Sequence, residues 1–178
     1  MGKIRTRDGW TYELTPGDLL WAARMIEGEG GNQAGVLWTM AQRLALVHRG
    51  APHMTFTDLI RAYSQPINPK WGRDGEFCRP GGPRSDTEAC DERHLARRDR
   101  ITNLRPEDMT EAVDFVQRWA RGAVPNNVPK AVHFATPAVI QRRIDDGSLA
   151  RVVLTDGNAY ASTPRSEAWP ANYVEITT

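Results

Sequence analysis

Residues 33–50 read QAGVLWTMAQRLALVHRG, and the spacing within them decides the fold class. Val36, Leu37, Met40, Ala41, Leu44 and Val47 recur at helical intervals, which puts them on one apolar stripe. Gly50 supplies a stop just past the last periodic residue. This is the strongest periodic signal in the chain, so the segment is expected to run through the core. Immediately upstream, TPGDLLWAARMIEGE opens another helix: Thr15 suits the cap, Pro16 the first helical position, and Asp18 the positive end of the dipole. Leu19, Ala23 and Ile26 share a face, so this helix is expected to be half buried. Further upstream, KIRTRDGWTYELT alternates around Asp8-Gly9, a hairpin signal.

Downstream, TFTDLIRAYS predicts a short helix ended by Pro66. Residues 68–90 are rich in Gly, Pro, Arg and Asp and show almost no periodicity, a composition typical of functional or mobile loops. Helical patterns resume at DERHLARRDRI and again at RPEDMTEAVDFVQRWARG. In the latter, Pro106, Glu107 and Asp108 mark the expected start and Gly122 the end. VPNNVPKAVHFA reads as extended, TPAVIQRRIDDG as a capped short helix, and LARVVLTDGNAYAS and NYVEIT as small strands. The expectation is a mainly α fold with small β pieces (α+β), one domain over residues 1–178, without repeats or a linker.

Composition bounds the function. The chain has 178 residues, a net charge of +1 and 40% hydrophobic residues, values ordinary for a soluble domain with a real core. Such a charge excludes a strong whole-molecule field as the attraction to a partner. The basic run RHLARRDR is interleaved with Asp91, Glu92 and Asp99 and reads as a salt-bridged solvent face, so no nucleic-acid partner is expected. No apolar run approaches the roughly 20 residues of a membrane span, and MGKIRTRDGW lacks the apolar stretch of a signal peptide. Cys78 and Cys90 lack the close pairing of a zinc site, even with His53 and His94, and stand in no thiol-nucleophile context; a disulfide pinning the 68–90 loop is the alternative. No metal and no cofactor are expected. GEGG follows a helix and lacks the Lys-Ser/Thr ending of a phosphate loop.

The chemistry concentrates in ARMIEGEGG, residues 23–31. A carboxyl group that acts as a general acid near neutral pH needs partial burial against apolar groups. Glu29 follows Met25 and Ile26 by four and three residues, within reach of both if the helix persists. Glu27 lies four residues after Ala23, so helix geometry alone does not choose between the two. Gly28 and Gly30 flank Glu29 and would leave room for a bulky polymer, which favours Glu29 and leaves Glu27 as a neighbour tuning it. The alternative is a solvated helix end with no chemistry.

LLWAARMIEGEGGNQAGVLWTMAQRLALV resembles the front of the spore-cortex-lytic type of cell-wall hydrolase. That family begins with Ala-Arg, an apolar pair, Gly-Glu, a small-residue loop and an alanine-rich helix ending in Asn-Arg. The matching positions are Ala23, Arg24, Met25, Ile26, Gly28 and Glu29, then Gln42-Arg43. Here the loop is shorter and Gln42 replaces Asn. The stretch is also similar to lysozyme-like lytic transglycosylases, in which an apolar helix ends in a catalytic Glu. Both resemblances imply a lysozyme-like domain with Glu29 as the catalytic acid. By the same resemblance, FTDLIRAYSQPINPKW implies that Tyr63, Ser64, Gln65 and Asn68 line a glycan groove. The resemblance also implies that Trp71 stacks on a sugar face, and His133 in AVHFA resembles a late segment of these hydrolases.

The resemblance implies cleavage of the β-1,4 bond between N-acetylmuramic acid and N-acetylglucosamine in peptidoglycan. A hydrolase normally needs a second carboxylate, but Asp58, Asp74, Asp86 and Asp91 sit in no distinctive context. A lytic transglycosylase needs one acid only, because the muramic acid's own 6-hydroxyl attacks. The expectation is therefore a lytic transglycosylase, with a hydrolytic muramidase (lysozyme or endolysin) or a non-catalytic phage structural or wall-binding protein as alternatives. Peptidoglycan strands are the expected partner, with phage virion proteins beside them. The expected location is a phage virion or the host periplasm and cell wall.

Overall fold

The computed structural model describes residues 2–64, 66–67 and 92–178, the side chains of 92–95 excepted. Gln65, Asn68, Trp71, Cys78 and Cys90, with Asp74, Asp86 and Asp91, lie outside the described residues.

The apolar stripe of residues 33–50 becomes helix α2 (Gln33–Val47), with Val36, Leu37, Met40, Ala41 and Leu44 buried. Asn32 caps it, its Oδ1 accepting from the Gly35 amide at 2.7 Å. The preceding helix α1 (Pro16–Glu29) has the expected start: the Thr15 hydroxyl accepts from the Asp18 amide, and the Asp18 carboxylate accepts from the Thr15 amide. Asp18 does more than complement the dipole. It is only 1% exposed, and its carboxylate also accepts from the Tyr12 hydroxyl and from the amide and hydroxyl of Thr57 on helix α3 (Phe56–Tyr63). Burial pushes this carboxyl up, but the donors from Thr15, Thr57 and Tyr12 outweigh it and hold it below the usual range. One acid thus ties together the starts of two helices and a strand.

Around α1 pack α2, α3, α4 (Glu92–Thr102) and α5 (Thr110–Ala120). Trp119 of α5 is fully buried, stacked on Phe56 and edge-on to Trp38. The expected helix across residues 106–121 is broken. Pro106–Asp108 form a single 3-10 turn, Met109 leaves helical geometry at φ −143°, ψ 46°, and the α-helix starts at Thr110. The Asp108 carboxylate accepts from the Arg105 amide and closes the short turn, while Met109 is buried in the core. Core anchoring overrides a local pattern that reads as continuous helix.

The Asp8-Gly9 hairpin forms as expected from β1 (Lys3–Thr6) and β2 (Thr11–Glu13). A second antiparallel sheet holds β3 (His133–Ala135), β5 (Asn158–Ser162) and β4 (Arg151–Asp156) in the order β3-β5-β4, with α6 (Pro137–Asp145) packed on it. A one-turn helix α7 (Pro164–Glu167) leads to β6 (Val174–Thr177), which pairs with β1 and joins the two ends of the chain. The fold is mixed α+β, as the sequence pattern indicated. Among the described residues no helix is long and apolar enough to cross a membrane.

Candidate active site

Glu29 is the last residue of α1, and the helix persists to it. Gly30 then takes φ +65°, ψ −167°, a conformation open in practice only to glycine, and Gly31 also has positive φ. These two glycines turn the chain from α1 into α2. A side chain at Gly30 would meet nothing within 4 Å. The expectation that Gly28 also clears space for a polymer is overturned. A Cβ there would fall 2.7 Å from Pro66 Cβ and 2.9 Å from Ile101 Cδ1, so Gly28 is a site of close packing within the protein. Arg24 is likewise structural: its Nε and Nη2 donate to the Leu104 carbonyl at 3.0 and 2.9 Å.

Glu29 is partly buried and edges a cavity of about 360 Å³ that also includes Thr39, Arg43, Tyr63, His133, Thr136 and Asn158. Met40, Val132, Phe134 and Val139 give it an apolar wall. The volume falls within the usual range for a small-molecule site. Ser64 Oγ donates to Glu29 Oε1 at 2.9 Å. The sequence reading put Ser64 in a glycan groove, but the residue is 0% exposed and supports Glu29 from behind. Glu27 is exposed and does not line the cavity. Of the expected site residues, Glu29, Tyr63 and His133 are therefore brought together, and Glu27 is not.

Tyr63 is half-buried, packed against the main core and stacked under the Arg43 guanidinium, 3.7 Å from its ring centre. Arg43 Nη1 lies 3.1 Å from His133 Nδ1, and Arg143 Nη1 lies 3.2 Å from the same atom. A guanidinium only donates. His133 Nδ1 must therefore accept, which places the proton on Nε2 and leaves the ring neutral. Burial, reinforced by the Arg43 and Arg143 charges, holds this imidazole down at about 3. Burial also pushes Arg43 down, with Arg143 acting in the same direction and Tyr63 opposing.

Tyr160 of β5 lies behind the site and outside its lining, its hydroxyl donating to the Asn32 carbonyl at 3.4 Å. It is fully buried, and its ring lies so near Gly35 that a Cβ there would fall 2.8 Å from it. Burial, with the Asp156 and Glu29 charges, pushes its hydroxyl up to about 12, so it remains a neutral donor. Thr39 Oγ1 is buried and meets no hydrogen-bonding partner among the described residues. Sequence reasoning missed Arg143 and Thr39 as site residues. Arg43 left one signal, a charged residue interrupting the apolar run of α2. Arg143 left none, since it looks like any basic residue near a helix end.

Comparison with family models, curated proteins and solved structures gives no match to this chain. What the site can do follows from its own chemistry: one carboxylate in a partly apolar cavity, aromatic and neutral donor groups around it, and two guanidinium groups opposite.

Proposed function

We propose that the chain is a peptidoglycan-degrading enzyme of lysozyme-like type, acting as a lytic transglycosylase with Glu29 as its single acid and base. The observation that carries this reading is the setting of Glu29. It ends an apolar helix, is held by a hydrogen bond from a buried serine, and faces a cavity whose described lining contains no other carboxylate. An inverting or retaining hydrolase would need a second carboxyl group across the scissile bond.

In the proposed reaction Glu29 gives its proton to the glycosidic oxygen, and the bond from that oxygen to the muramic acid C1 breaks. The carboxylate then takes the proton of the muramic acid 6-hydroxyl as O6 bonds to C1, leaving a 1,6-anhydro ring and a regenerated acid. In this reading Ser64 helps fix the carboxylate for both transfers through its hydrogen bond to Oε1. Tyr63 and the apolar wall offer surfaces for sugar rings.

Mass spectrometry of purified sacculi after incubation with the protein tests the reaction class. Anhydro-muropeptides are the expected products; new reducing ends would make it a muramidase, and intact sacculi would make it a non-catalytic binding protein. Glu29→Gln is expected to lower cleavage by about 10²–10⁴-fold, with an unchanged melting profile, while Glu27→Gln stays near wild type. The reverse pattern would remove the assignment.

A further inference from the structure

We propose that Arg43 and Arg143 form a carboxylate-binding subsite in the Glu29 cavity, through which the protein distinguishes muramic acid units from N-acetylglucosamine units. The proposal rests on the peptidoglycan reading above.

Two guanidinium groups converge on one imidazole nitrogen, at 3.1 and 3.2 Å. Because that imidazole is neutral, it satisfies one N–H of each fork but compensates none of their charge. Among the described residues neither arginine has a carboxylate within ion-pair distance. Asp146 interacts with Arg143 only at longer range and is itself solvent-exposed. On the other side, Arg43 stacks on the Tyr63 ring. Two like charges therefore stand together, partly shielded from water, on the wall of a cavity. That arrangement is unfavourable for the empty protein and favourable for an entering anion. Each fork presents further N–H groups in the planar geometry that matches a carboxylate.

On a peptidoglycan strand the carboxylates belong to the muramic acid units. They are the lactyl group itself where the peptide is absent, or the peptide stem where it is present. N-acetylglucosamine carries neither. A carboxylate held by these arginines would fix which sugar sits beside Glu29, and thus which of the two alternating bonds is cut.

The test uses full-length Glu29→Gln protein, so that nothing is turned over, with the His133 ring nitrogens observed by ¹⁵N NMR. N-acetylmuramic acid, N-acetylglucosamine, a peptide-bearing muropeptide and inorganic phosphate are titrated separately. N-acetylmuramic acid or the muropeptide is expected to shift the His133 signals at about tenfold lower concentration than N-acetylglucosamine. The stronger of the two identifies the lactyl or the stem carboxylate. Adding Arg143→Gln is expected to remove that preference while leaving N-acetylglucosamine binding unchanged, and Arg143→Lys to restore part of it. Equal binding of all the sugars, equal loss on both sugars with Arg143→Gln, or binding of phosphate without carboxylates would overturn the proposal. The product analysis of wild-type protein is independent. Cleavage without carboxylate preference removes the subsite alone, and carboxylate preference without cleavage removes the enzymatic reading alone.

Discussion

Nδ1 of His133 has two guanidinium donors and so carries no proton of its own, which fixes both the tautomer and the charge of the ring. A consequence follows for stability. An unfolded histidine takes up a proton near pH 6.5, whereas this one is held at about 3 in the fold. Between those values the unfolded chain binds more protons, so stability is full above pH 6.5 and declines as pH falls toward 3. The expected loss is on the order of 2–3 kcal/mol by pH 4, after allowing for partial exposure. Urea denaturation at pH 7, 5.5 and 4 measures it. In His133→Asn, which keeps an acceptor but cannot titrate, most of that slope should disappear. The depressed carboxyl of Asp18 acts in a separate window: its contribution is present above pH 3.8 and lost only as pH falls below that value. The neutrality of His133 also bears on chemistry. It cannot exchange a proton at neutral pH, so His133→Asn should leave the pH optimum of any cleavage unchanged even if the rate falls.

At the scale of elements, the two glycines around Glu29 do different work, and paired substitutions separate them. Gly28→Ala forces a methyl group against Pro66 and Ile101, an overpacking expected to cost about 1–3 kcal/mol. Gly30→Ala has open space but a forbidden backbone, with an expected cost of about 1–3 kcal/mol through strain at the end of α1. Thermal unfolding should register both as losses of roughly 2–4 °C per kcal/mol. Only Gly30→Ala is expected to impair cleavage strongly, since it distorts the turn that follows Glu29. From sequence, the two glycines look alike, because the packing partner Ile101 lies on a distant helix. The same limit explains the rest of the comparison. Helices α1, α2 and α3 and the Asp8-Gly9 hairpin were legible because their caps and periods are local. The break at Met109 and the pairing of β1 with β6 were not, since both are decided by long-range contacts. Within the site, Glu29, Tyr63 and His133 could be picked out from short motifs. The roles of Ser64 and Arg143 depend on partners 35 and 10 residues away and left no local trace.

Across the whole molecule, one buried amide connects the main helical core to the second sheet. Gln42 is 2% exposed on the inner face of α2. Its Nε2 donates to the carbonyls of Val128 at 3.0 Å and Ala131 at 2.9 Å, and its Oε1 accepts from the Lys130 amide at 2.8 Å and from Asn126 Nδ2 at 3.3 Å. All four hydrogen-bonding positions of the amide are filled. The segment it holds includes Lys130 at φ +71°, a backbone state that a lysine adopts only when its surroundings impose it. That segment runs directly into β3 and His133, so this side chain, together with the pairing of β3 on β5, supports the far wall of the cavity. Gln42→Leu preserves bulk but takes the Gln42 partner from the Lys130 amide and the Ala131 carbonyl, while the Val128 carbonyl keeps the Ala131 amide. The expected cost is about 2–4 kcal/mol. Hydrogen exchange should show where it falls. The Lys130 amide, bonded to Gln42, is expected to lose at least about tenfold in protection beyond the global change. Amides within α1 and α5 should follow the global change alone. If the Lys130 amide instead kept its relative protection, the segment would be held by its other packing, and the cavity wall would not depend on Gln42.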